Sequence, residues 1–155
     1  MSGLLELKAK VQGILTDVFN VVRVDKDGDY SIPYESTNVW VRCTEQQREG
    51  AEPRTLIHVT SMVLHDVDPT SEFFRFVATH SDDWLFGHIS AAEDEDSGKY
   101  KVWMRHTLLG DYLDEEELKA TVIGICSSAD QLDDQMKELF GGERFFDDFE
   151  STPDE

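Results

Sequence analysis

Basic residues are scarce in this chain. Fourteen lysines and arginines face 33 aspartates and glutamates, giving a formal net charge of −19. Nucleic acid and anionic membrane both require basic surface, so neither is expected as a partner; a basic client fits the charge better. Cysteine is scarcer still. Cys43 and Cys126 form no CxxC or CxxH spacing, which argues against zinc and for two reduced core thiols. No apolar run approaches the length of a membrane span. The N-terminal stretch has Lys8 and Lys10 inside its apolar pattern and lacks a small-residue cleavage site, so it does not read as a signal peptide. A cytoplasmic location is the resulting expectation.

Catalytic signatures are missing as well. There is no GxGxxG, no Walker loop and no HExxH pair, and Ser127-Ser128 lacks the glycine elbow that exposes a nucleophile. His58, His65, His80, His88 and His106 stand singly, though His58 and His88 could meet across a sheet. No enzyme activity and no cofactor are expected. One acidic turn, Asp25-Lys-Asp-Gly-Asp29, invites a calcium reading through Asp25, Asp27 and Asp29. Tyr30 stands where an EF-hand loop needs glycine, however, and Ser36 where it needs a bidentate glutamate. A tight turn, with Asp27-Gly28 supplying the positive φ, explains the same residues. No metal is therefore the expectation, with those three aspartates as the alternative.

What is present is a soluble, globular composition, 39% apolar and 30% charged, on a length suited to one domain. The strongest pattern runs from Lys99 to Phe140. Tyr100 to Leu109 reads as a strand. Asp114 then reads as an N-cap, with Glu117 completing a capping box. Leu118, Val122, Ile125, Ala129, Leu132, Met136 and Leu139 recur at alternating spacings of four and three, one stripe on a long helix stopped by Gly141-Gly142. Such a stripe covers a sheet, or gives part of itself to a partner.

Gly3 to Asn20 is an amphipathic helix in which Gly13 costs roughly 1 kcal/mol against alanine unless it permits a close approach. Strands are predicted at 30–34, 37–44 and 54–66, with a polar loop at 45–53. A helix starts at Asp68-Pro69 and ends near His80, a strand covers 83–92, and an acidic hairpin loop leads to the strand at 100. The order is helix, three strands, helix, two strands, helix. The expected fold is α+β, an antiparallel twisted sheet of about five strands with helices packed on it. A single domain over 1–146 and a flexible acidic tail over 147–155 complete the expectation.

Trp40, Trp84 and Trp103 each fall in a predicted strand, where core packing or an aromatic binding platform would explain them. With Leu7, Val11 and Leu15 on the first helix and Phe145, Phe146 and Phe149 in the tail, they are the candidate contact residues for a partner.

This element order resembles that of class I type III secretion chaperones and the YbjN-like proteins that share their fold. The Asp25–Asp29 turn before a strand is similar to the DxDGD turn of the actinobacterial YbjN-like branch. So are the run Leu108-Leu-Gly-Asp-Tyr-Leu-Asp-Glu-Glu-Glu-Leu118, the segment Ala129 to Asp134 and the ending Phe140-Gly-Gly142. The resemblance spans roughly Gly3 to Phe146. It implies a non-enzymatic, usually dimeric chaperone or adaptor that holds an extended segment of a client, by strand addition and apolar pockets. A regulatory homodimer without a client is the rival reading.

Overall fold

The computed structural model describes residues 2–147. Helix α1 (Ser2–Val18) leads into β1 (Arg23–Val24), β2 (Tyr30–Tyr34), β3 (Thr37–Arg48) and β4 (Ala51–Val67). Then follow α2 (Ser71–Thr79), β5 (His88–Glu93), β6 (Tyr100–Leu109) and α3 (Glu115–Phe140). The strands form one antiparallel sheet in the order β1-β2-β3-β4-β6-β5. The expected α+β fold holds. The sixth strand is the two-residue β1, too short to leave a periodic signal.

Alternation along the strands sorts the two faces. Val39, Val41, Ile57, Val59, Val102 and Met104 are buried on one face, and the helices cover it. The α3 stripe from Leu118 to Met136 is spent on this core, and only Leu139 at its end stays exposed. Asp114 caps α3 by accepting from the backbone N–H of Glu116 (2.8 Å) and of Glu117 (3.2 Å). Thr70 caps α2 in the same way, and Phe73 of α2 packs on Tyr100 and Phe140.

Two predicted boundaries are corrected. The polar loop expected at 45–53 is a continuous ribbon: β3 runs to Arg48, β4 begins at Ala51, and Gly50 (φ +73°) closes a two-residue turn. Pro53 is tolerated because the register shifts between Gln46 and Arg48. The strand expected at 83–92 begins only at His88. Gly87, at φ +91°, brings its backbone against the core, where a Cβ would collide with Ile125, and its N–H donates to Nδ1 of His106. Trp84 consequently lies in an irregular segment, not in a strand.

Ser36, in the turn between β2 and β3, ties that turn to α3. Its hydroxyl oxygen is 2.6 Å from Asp130 Oδ1 and 2.6 Å from Asp133 Oδ2. One hydroxyl has one proton, so both bonds form only if one carboxyl is itself protonated. Asp133 is the buried one, and its Oδ1 has no partner among the described residues. Burial pushes its pKa up to about 7, although the Ser36 hydrogen bond opposes the shift.

Two stability outcomes follow. No atom lies within 4 Å of a Cβ built on Gly13, so the close-approach role is absent, and Gly13→Ala is expected to stabilise the chain by about 0.5–1 kcal/mol in urea denaturation. The folded state holds the Asp133 proton more tightly than the unfolded chain does. Its contribution is therefore intact at acid pH and is lost as pH rises from about 4 through 7. Asp133→Asn should gain on the order of 2 kcal/mol relative to wild type between pH 5 and pH 8. Equal wild-type and variant pH profiles would place the proton elsewhere.

Candidate peptide-binding face

Among the described residues, no helix packs on the second face of the sheet. Along β3 it presents Trp40, Arg42 and Thr44; along β4, His58, Thr60 and Met62; along β6, Trp103, Arg105 and Thr107. Trp40 is paired with Thr60 and Trp103 with Met62, so the two indoles lean diagonally across β4 with centroids 6.3 Å apart. The Arg105 guanidinium lies 5.1 Å from the Trp103 ring centroid, within cation–π range. The tryptophans, the small Thr44 and Thr60, His58 and the two arginines line a shallow groove of about 540 Å³.

The acidic turn forms one rim of this groove. Asp25 Oδ1 accepts from the backbone N–H of Asp27 (2.9 Å) and of Asp29 (3.0 Å), an Asx-type closure of the turn. Asp29 takes Arg42 in a two-pronged pair, at 3.0 Å from both Nε and Nη2. Its carboxylate is therefore engaged by a cation of the chain itself. Among the described residues, His65, Asp66 and Glu143 are the grouping that brings three possible ligand atoms together, not the Asp25–Asp29 turn.

His58 reaches Thr44 Oγ1 at 3.0 Å on β3 and Thr107 Oγ1 at 3.4 Å on β6. Burial, reinforced by Arg42, lowers its pKa and keeps the ring neutral at pH 7. His88 is opposite Arg105 while His58 is opposite Thr107, with β6 between them, so the two histidines do not meet. Cys43 and Cys126 are free and buried, and burial raises their thiols to about 11 and about 12, well out of the reactive range.

The candidate contact residues separate into groups. Trp40 and Trp103 converge on the open face. Phe145 reaches the same place from the end of α3, edge-on to Trp40 at 5.1 Å, and Phe146 stacks edge-on against Phe145 at 4.7 Å. Trp84 packs half-buried against the core. Leu7, Val11 and Leu15 are buried in that core, so the exposed apolar area expected of them is absent: the face that made α1 amphipathic is consumed within the monomer. Phe149 and the rest of 148–155 lie outside the described residues, while Asp147 is held by Arg144 and Lys137. Arg105 and Thr60 carry no signal of their own in the sequence, and His58 shows there only as a possible partner of His88. Period-two alternation from Trp103 would have placed Arg105 beside it.

A family model matches residues 6–148, nearly the whole chain. It is described as "T3SS (YopN, CesT) and YbjN peptide-binding chaperone 1", or TY-Chap1. The chain belongs to this family. Among solved structures, one chain of the HopA1–SchA chaperone–effector complex is similar in fold. It has a TM-score of 0.53 and 14% identity over 84% of this chain and 94% of that one. No curated protein matches significantly. TY-Chap1 is thus a peptide-binding chaperone family on a type III secretion chaperone-like fold, as the resemblance implied. No helix among the described residues is long and apolar enough to cross a membrane.

Calcium up to about 1 mM is expected to give no saturable heat in titration calorimetry, because Arg42 already holds Asp29. Heat abolished by Asp27→Ala would restore the calcium reading.

Proposed function

We propose that this TY-Chap1 chain is a non-enzymatic, cytoplasmic chaperone or adaptor that holds an extended segment of a client protein on the open face of its sheet. The observation that carries the reading is the Trp40–Trp103 pair, set in a groove on the sheet face without helices. Two indoles 6.3 Å apart offer a large rigid apolar contact at low entropic cost. Arg105 supplies a hydrogen-bond donor beside them, and Thr60 keeps the floor low enough for a backbone to approach. The surplus of acid residues favours a client with basic flanks, and the exposed Asp27 on the rim adds to this locally. The working unit in this reading is a homodimer.

A second reading, a self-contained regulatory dimer without a client, is favoured by one observation. Phe145 already covers part of Trp40.

Peptide phage display on the purified chain distinguishes them. The chaperone reading expects enrichment of extended sequences with an aromatic residue and basic neighbours. Trp40→Ala and Trp103→Ala should each weaken the selected peptide about tenfold, roughly the loss of one well-packed aromatic anchor, with circular dichroism unchanged. Selection of nothing, or of peptides indifferent to both tryptophans, supports the client-free dimer.

A further inference from the structure

The chain after α3 does something more specific than end. Gly141 (φ +75°) and Gly142 (φ +83°) reverse its direction. Glu143 then pairs with His65 of β4 as an antiparallel bridge, N–H to O in both directions at 2.8 Å. On its other side β4 is paired with β6, through Leu64 with Val102 and Val67 with Tyr100. Glu143 therefore takes the edge of β4 that β3 does not reach. Two residues on, Phe145 sets its ring against Trp40.

The segment is also clamped. Arg144 holds Asp147 Oδ1 from Nε (3.0 Å) and Nη2 (2.8 Å), and reaches Asp134 of α3 at 2.9 Å. Lys137 of α3 donates to Asp147 Oδ2 at 2.7 Å. Against the opposing effect of burial, these bonds keep the Asp147 carboxyl well below the usual carboxylate range. Three features of peptide recognition by strand addition are thus met within the chain: an unused strand edge, paired backbone bonds, and an aromatic side chain on an aromatic surface.

We propose that Glu143–Asp147 is a built-in occupant of the peptide site, a strap that a client segment displaces. It is also a template for that client. The preferred segment pairs antiparallel with β4 at His65 and lays an aromatic side chain on Trp40 two residues later. The inference rests on the peptide-binding reading and adds both the register of the client and the competition it meets. A tethered occupant acts at a high effective concentration, so it sets the affinity a client must exceed.

The test uses the full chain and two variants that weaken the strap at different points. Phe145→Ala removes the ring from Trp40. Gly142→Ala leaves the face untouched but puts a methyl group 2.7 Å from the His65 carbonyl oxygen at a left-handed φ, which expels the segment from β4. The probe is a synthetic peptide with the sequence of residues 140–147, and the readout is the Trp40 indole N–H resonance, assigned with Trp40→Phe.

Both variants are expected to move that resonance. The probe should return it toward its wild-type position and bind each variant at least about tenfold tighter than wild type, whose site is occupied. A probe with alanine in place of its central phenylalanine, the counterpart of Phe145, should do neither. An unmoved Trp40 resonance in both variants, probe binding as tight to wild type as to the variants, or no probe binding to either variant would each overturn the strap. The parent reading fails in a different way. A display-selected peptide that needs Trp103 but ignores both strap variants overturns the strap alone. Variants that rebind the probe while display selects no foreign sequence overturn the client.

Discussion

A sheet has two faces, and the helices among the described residues cover only one. That one-sided burial governs the rest of the molecule. On the covered face, β4 is the spine: it pairs with β3 and β6 and lies under α3. Apolar side chains can alternate into a single core there. On the other face the same strands must offer side chains that tolerate water, and threonine, histidine and arginine do so. The two tryptophans, with Met62 beside Trp103, are the exceptions. Large aromatic area left at the surface of a strongly charged protein is available for recognition, and only Phe145 of the described tail shields part of it.

The parts of this arrangement with a local physical cause were legible in the sequence. The α3 helix declares itself by Asp114, its stripe and its terminal glycines. The tight alternation of β3 separated Val39 and Val41 from Trp40 and Arg42. The outlying ribbon at 45–54 was not legible, because most of its residues are exposed and so carry no apolar alternation. Nor could α1 reveal its partner. Leu7, Val11 and Leu15 define an apolar face, and nothing in such a face says whether its own sheet or another protein will cover it. The tail phenylalanines stood as contact residues for a partner, and Phe145 docks on Trp40 of its own chain. Its target depends on a chain reversal and a bridge to His65, a long-range pairing that no local pattern encodes.

Charge is handled with similar economy. Arg42, Arg144 and Lys137 are engaged by aspartates of the same chain, at the acidic turn and at the end of α3. Arg105 lies over Trp103 instead. These four cations sit where the turn, the end of α3 and the open face are held in place. The proton that burial favours on Asp133 does comparable work without a cation, beside Ser36 and Asp130. It relieves the charge of two carboxylates gathered around one hydroxyl.

The strand order carries a last consequence. Every ladder but one joins consecutive strands: β1 to β2, β2 to β3, β3 to β4, and β5 to β6. Among the described residues, only the β4–β6 ladder crosses from one half of the chain to the other. The sheet is thus two local meanders zipped along one seam. During synthesis the first half can form its hairpins early, but the longest strand then stands with a bare edge until residue 109 has been made. Its valine-rich face stays uncovered for longer, until α3 arrives. A nascent chain of this family passes through a stage in which it exposes the very kind of surface that chaperones exist to shield.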